Sequence, residues 1–309
     1  MYRVLTASSD TYITNKIVRN SFRAVDANVG RAGTLDLFKI YDESISGSYD
    51  SPVEYSRILI KFDNSNLLDM HNNGDIDITD SSFSATLKLY DVYGGQTTPN
   101  NFRLVGFPLA QGFQEGEGRD IVTFKDLGSS NYITASYVDG SYMLWNLPGA
   151  LKSGSYGEGS IDTIVSGSIP GNSTVKTRLC DEQYFTEGSE DLALDITTAV
   201  SASIVGLLDN NGYLISYSGS YEKDTKSYFV KRFASRHSSR EDLRPKIIIK
   251  YDDSITDNHR NFTFGSTGSL FLNNYVKGQL QNIITGSGGR LAQGHNCLKV
   301  KLVSGSFSK

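Results

Sequence analysis

The residues with the clearest chemical potential sit in a short acidic loop, Gln114-Glu115-Gly116-Glu117-Gly118-Arg119-Asp120. Two carboxyl groups can cleave a glycosidic bond by acid–base chemistry when they stand roughly 5–9 Å apart. Nothing else along the chain supports catalysis, so the segment reads as a charged loop beside a strand, and no catalytic residue is assigned. A second acidic run, Asp63, Asp69, Asp75, Asp77 and Asp80, offers hard oxygen donors. Its order does not match the twelve-residue EF-hand loop, so solvated turn carboxylates are favoured over a structural calcium. The histidines His71, His237, His259 and His295 lack the paired spacing of a zinc site and read as surface or loop residues. Cys180 and Cys297 stand far apart and read as unrelated reduced thiols. No nucleophile elbow or phosphate-binding Gly-Lys-Ser/Thr loop is present. No cofactor is expected.

Two further groups could bind rather than react. Lys226, Lys231, Arg232, Arg236, Arg240, Arg244 and Lys246 are interleaved with Tyr228, Phe229 and Phe233, as in a single-strand nucleic-acid groove. Against this, Glu241 and Asp242 interrupt the run, and the chain carries 30 basic against 34 acidic residues. A nucleic-acid partner usually demands a strong positive excess, so none is expected. Tyr137, Tyr142, Trp145 and Tyr156 gather near a long loop, and stacked aromatics can hold a sugar ring. They are the candidate glycan contacts, although Trp145 in Met143-Leu144-Trp145-Asn146 reads more readily as core.

The elements that must position these residues are strands. Ala85, Leu87 and Leu89 alternate with Thr86, Lys88 and Tyr90; Ile58, Ile60 and Phe62 with Arg57, Leu59 and Lys61; Ile247, Ile249 and Tyr251 with Lys246, Ile248 and Lys250. Period-two alternation puts one face on a core and the other towards water. Further strands are expected at 34–40, 101–107, 120–124, 213–217, 227–233 and 270–276, separated by Gly, Ser, Asn and Asp clusters. Ile196, Ala199, Val200, Ile204 and Leu207 recur at helical spacing, with Asp195 or Thr197 as the N-terminal cap. Residues 152–172 read as a long insertion loop of low apolar content. Scattered Gly-Ser pairs, in a chain with 30 Gly and only 6 Pro, mark surface loops rather than a repeat. The chain lacks a run of 18 apolar residues and an apolar leader behind Met1, so neither a membrane span nor a signal peptide is expected.

These readings combine into an all-β protein. The expected architecture is an antiparallel two-sheet, jelly-roll-like β-sandwich over residues 1–251, followed by a linker and a small β-rich segment over 252–309. Three strand-like runs, at 261–264, 270–276 and 297–303, give the second piece little two-sided core. It must dock on the sandwich or on a neighbouring chain.

The first piece resembles the DNRLRE-type β-sandwich family, grouped with carbohydrate-binding modules of jelly-roll topology. The resemblance rests on six short pieces in the family's order. Ala7-Ser8-Ser9-Asp10-Thr11-Tyr12 is similar to its opening A-x-D-T-Y strand, and Asn28-Val29-Gly30 with Leu35-Asp36-Leu37 to its N-x-G…L-x-V element. Ser56-Arg57-Ile58-Leu59-Ile60-Lys61-Phe62-Asp63 is similar to R-x-L-L-x-F-D, and Ser84-Ala85-Thr86-Leu87-Lys88-Leu89 to S-A-x-L-x-L. Leu194-Asp195-Ile196-Thr197 with Val200 is similar to D-V-T-x-x-V, and Phe233-Ala234-Ser235-Arg236 with Arg244-Pro245-Lys246-Ile247 to the closing F-x-S-R-E…R-P-x-L. The family's Ser-Arg-Glu is Ser235-Arg236-His237 here, and its Trp-Glu appears as Phe113-Gln114-Glu115. The resemblance implies structural roles for Asp10, Arg57, Asp63, Asp195, Arg236 and Arg244, with Arg236 and Arg244 tying the last loop to the sandwich.

In style, the Gly-Ser-studded strands and the tail Gly268-Ser269-Leu270-Phe271-Leu272-Asn273-Asn274 resemble structural proteins of large tailed bacteriophages. That likeness implies a non-enzymatic virion component of the neck, tail or head decoration, assembled in the host cytoplasm. Its partners would be other virion proteins and copies of itself. The alternative is a carbohydrate-binding module for adhesion to glycans.

Overall fold

Alternation matures into long antiparallel strands, and the longest, β1 (Tyr2–Thr14), belongs to two sheets at once. A computed structural model of the chain describes residues 1–43, 53–92, 98–123, 125–126, 128–150, 162–164, 166–169, 172–253, 255–258, 261, 265–285, 290–295 and 297. The first half of β1 pairs with β16 (Lys246–Lys250), from Tyr2 opposite Lys250 to Thr6 opposite Lys246. A register shift between Ala7 and Ser9 then turns the strand, and its second half pairs with β5 (Val53–Phe62). Such an irregularity adds a residue and sharpens the local twist, which lets one strand pass between layers.

One layer runs β13 (Leu192–Asp195), β6 (Ser84–Leu89), β16 and the start of β1. The other runs from the end of β1 through β5, β14 (Tyr213–Tyr217), β7 (Phe102–Pro108) and β12 (Glu182–Phe185). β2 (Ile17–Val18) and β3 (Phe22–Arg23) form a short antiparallel pair of their own; β4 (Thr34–Tyr41) and β15 (Tyr228–Ala234) pair with each other, and β4 also joins β5. The large sheet is thereby nearly closed, and the chain is an all-β, antiparallel, jelly-roll-like β-sandwich, as the alternation implies. Among the described residues no helix is long and apolar enough to cross a membrane.

Between the layers lie Ile58, Ile60, Leu87, Leu89, Leu104, Leu194, Ile215 and Ile249, all buried. An aromatic group closes one part of this core: Phe102 stacks on Phe185 at 4.8 Å between ring centroids and meets Tyr217 edge-on at 5.4 Å. The second layer is covered on its outer face as well. Leu59, Val105, Phe107 and Leu214 pack there with Phe113, Trp145 and Ala150 from the insertion that follows β7. Hence Arg57 and Leu59, expected to face water from the alternation of 57–62, are both buried. A strand covered on both faces loses the polar half of its pattern.

Several elements depart from expectation. The acidic run 63–80 contains a helix, α1 (Ser65–Asn72), whose Leu67 and Met70 sit one turn apart and enter the core. Residues 120–123 make a turn instead of a strand, because the Asp120 carboxylate accepts from the amides of Val122 and Thr123. Part of the expected loop 152–172 is strand: β10 (Ser166–Ile169) pairs with β11 (Asn172–Arg178). The expected helix is present as α2 (Thr197–Ile204) but stops before Leu207, which is exposed. Gly206, at φ +74°, ends it; the Leu207 amide bonds back to Ala202 and that of Gly206 to Ser203.

Beyond the sandwich, β17 (Ile255–Asp257), β18 (Leu272–Val276) and β19 (Gln279–Gln281) form a separate three-stranded sheet. Lys277 and Gly278, both at positive φ, make the tight turn between β18 and β19. β20 (Ile284–Thr285) and β21 (Arg290–Leu291) pair beside it in sequence. The expected strand at 297–303 and most of that at 261–264 lie outside the described residues.

Candidate functional site

Three distant segments bring Asp10, Glu115, Arg236 and His237 together at one place. β1 supplies Asp10, whose side chain is buried just beyond the register shift. The loop after β7 supplies Glu115, and the loop after β15 supplies Arg236 and His237. The Glu115 loop is locked against the turn holding Asn28. The Asn28 amide donates to the carbonyls of Glu115 and Ser130, both at 2.8 Å, while its oxygen accepts from Gly30 and Gly118. The backbones touch so closely that a Cβ at Gly30 would stand 2.0 Å from the Glu115 carbonyl oxygen, and one at Gly118 1.8 Å from that of Asn28. Only glycine fits at either position.

Glu115 is the hub. Its Oε1 accepts from the Asp10 amide at 2.9 Å and from Arg236 Nε at 2.5 Å, and its Oε2 accepts from Arg236 Nη2 at 2.6 Å. The Arg236 amide in turn donates to Asp10 Oδ2 at 2.6 Å. His237 Nε2 lies 3.4 Å from Glu115 Oε1. Two polar atoms here are buried with no hydrogen-bond partner, Asp10 Oδ1 and His237 Nε2. Burial pushes the Asp10 carboxyl up to about 7, against the opposing pull of the Arg236 amide. Burial also lowers the His237 imidazole, although Glu115 draws it the other way. Pieces quoted above from four parts of the sequence (Asp10, Asn28-Gly30, Glu115 and Ser235-Arg236) therefore meet in one buried network. His237, expected as a surface or loop residue, sits on the loop after β15 and approaches this network through Glu115.

The other anticipated residues fall elsewhere. Arg57 makes a buried two-pronged pair with Glu222, each contact 3.1 Å, and a third bond to the Gly149 carbonyl. Asp63 accepts from the Ser65 amide at the start of α1, and Asp195 from the Thr197 amide at the start of α2. Arg244 holds the Ser238 carbonyl at 3.1 Å and pairs with exposed Glu241. The basic run is mostly paired: Lys231 with Asp91, Arg232 with Asp36, Arg240 with Asp242. Lys39 with Asp224 is a further buried pair with no sequence signal, since its lysine occupies a strand position that normally faces water. Glu117, the second carboxylate of the acidic loop, is exposed beside Arg31, while Glu115 is taken by Arg236. In the run 63–80, Asp63, Asp77 and Asp80 each bond a nearby backbone amide. Among the described residues, the three-residue group close enough to share an ion lies instead at Asp10, Glu115 and His237.

The aromatics do not form one platform. Tyr137 and Tyr142 face each other across the hairpin of β8 (Thr134–Val138) and β9 (Ser141–Leu144), ring centroids 4.9 Å apart, and both are exposed. Trp145 points into the second core cluster, and its indole donates to the Asn131 carbonyl at 2.9 Å. Tyr156 lies outside the described residues. A pocket lined by Arg178, Cys180, Asp195 and Thr197 holds about 190 Å³, below the roughly 300–1,000 Å³ of ordinary ligand sites.

The terminal strands leave apolar side chains exposed. Ile255, Phe271, Tyr275, Val276, Leu280, Ile284 and Leu291 are all exposed, Leu280 at 64% and Phe271 at 62%. Asn274 is buried there, with its amide on the Asn282 carbonyl. Compared with known protein families and with curated proteins, the chain matches none.

Proposed function

We propose that the chain is a non-enzymatic structural component of a tailed-phage virion, working through contacts made by its terminal sheet. The observation that carries the structural role is the exposure of Ile255, Phe271, Tyr275, Val276 and Leu280 on and beside a three-stranded sheet whose strands bury only Asn274. A three-stranded sheet with so little core is marginal alone and gains stability by docking. A second copy or another virion protein could cover it, and a stable contact of this kind buries on the order of 1,200–2,000 Å². The virion setting, with assembly in the host cytoplasm, rests on the resemblance of the Gly-Ser-rich strands and tail to phage structural proteins.

The experiment is a pair of charge insertions, Phe271→Asp and Leu280→Asp, made together in the full chain. Sedimentation and incorporation into particles should both fall, while the circular dichroism of the sandwich stays unchanged. Normal incorporation of the double variant would refute the reading. A second reading, glycan adhesion, is favoured by the exposed Tyr137–Tyr142 pair alone. It requires selective glycan binding that disappears in Tyr142→Ala.

A further inference from the structure

We propose that Asp10, Glu115 and His237 form a site for one divalent first-row transition ion, of which Zn²⁺ is the natural probe. One carboxylate oxygen from each acid and one ring nitrogen lie within 4.8 Å of one another. Donors that share a zinc ion at roughly 2.0–2.2 Å stand about 3–4 Å apart. The cluster therefore needs only a small inward movement of side chains to close.

The independent sign of a missing occupant is the pair of orphaned atoms. Asp10 is buried to 1% exposure, yet its Oδ1 accepts no hydrogen bond, and His237 Nε2, shielded from solvent on a half-buried side chain, has only a long 3.4 Å approach to Glu115 Oε1. Buried polar atoms are almost always paired, so two orphans beside the same carboxylate mark a place for a cation. Arg236 holds both Glu115 oxygens, Nε on Oε1 and Nη2 on Oε2, so an ion would share Glu115 with the guanidinium, and bonds of this kind fix the direction of a ligating carboxylate. The backbone is also set in advance: the Asn28 lock fixes the Glu115 loop, and Ser235 Oγ accepts from the His237 amide at 3.0 Å.

The donor set decides the class of ion. Calcium and magnesium take oxygen ligands, whereas an imidazole nitrogen beside two carboxylates suits zinc and its neighbours. With three protein donors, the ion would pin β1 to the loops after β7 and β15, three segments joined here through Glu115.

The test uses the full chain stripped with chelator and then titrated with Zn²⁺ alone or Ca²⁺ alone, by calorimetry and thermal unfolding. One equivalent of Zn²⁺ should bind and raise Tm by about 5 °C or more at a hundredfold excess over Kd, with no comparable effect of Ca²⁺. His237→Gln should weaken Zn²⁺ binding by about tenfold or more while lowering the metal-free Tm little, because the side chain's contact in the cluster is the long 3.4 Å approach to Glu115 Oε1. Asp10→Asn, should it fold, must behave likewise. No zinc binding, binding untouched by His237→Gln, or an equal response to Ca²⁺ would each overturn the proposal.

Discussion

The sandwich and the terminal sheet use the same local rules and reach opposite ends. In β5, the successive residues Ile58, Leu59 and Ile60 are all fully buried, because the second layer is packed on both faces. In the terminal sheet, Tyr275 and Val276 on β18 and Leu280 on β19 are exposed, although the hairpin between them has a tight turn of the favoured type. Good strand chemistry thus suffices for local pairing. Only burial of apolar area on a second layer supplies the stability that resists unfolding. The difference marks the sandwich as the part with a core packed from two sides, and the proposed role gives the terminal sheet a surface to dock on.

Substitutions can sharpen this contrast. The largest loss is expected in the sandwich. Glu222→Gln leaves the buried Arg57 guanidinium without its charge partner and should cost about 3–5 kcal/mol in urea unfolding. Phe102→Ala, which removes a ring stacked on Phe185 and met edge-on by Tyr217, should cost a similar amount, about 3–5 kcal/mol. A loss under 1 kcal/mol from either variant would break the claim that the core governs stability.

A smaller effect is expected from acid. Burial raises the Asp224 carboxyl, but hydrogen bonds from Lys39 and Tyr228 outweigh it and hold the group below its ordinary 3.8. Its folded form therefore releases its proton more readily than the unfolded chain. The stability it adds is present above about pH 4 and is lost as pH falls through the lowered value. Urea midpoints at pH 3 and pH 6 should differ less in Asp224→Asn than in the parent. The smallest effect belongs to the terminal sheet. Phe271→Ser should change the unfolding free energy of the isolated chain by less than about 0.5 kcal/mol.

How much of this could be read in advance follows from the same contrast. Where one face is wet, alternation marked the strands closely, as at 84–89 and 246–250. The fully buried β14 also matched its expected range, 213–217. Where both faces are covered, charge misled: Arg57, Lys39 and Lys231 occupy positions that normally point to water, but each is buried against a carboxylate from a distant segment. α1 escaped notice because its two core residues sit among Asn, Asp and His, which favour turns. For the candidate site, Asp10 and Arg236 were marked through the motif pieces, and Glu115 only as part of a charged loop. His237 was set aside because metal spacing rules look for near neighbours in sequence. Its partners come from segments more than a hundred residues away.

The most direct test of the contrast is amide hydrogen exchange on the full chain, first dilute and monomeric and then within assembled particles. The account predicts that amides of 272–281 exchange rapidly in the monomer and become protected on assembly, while those of Ile58, Leu59 and Ile60 stay protected throughout. Terminal amides as protected in the lone monomer as those of β5 would contradict it.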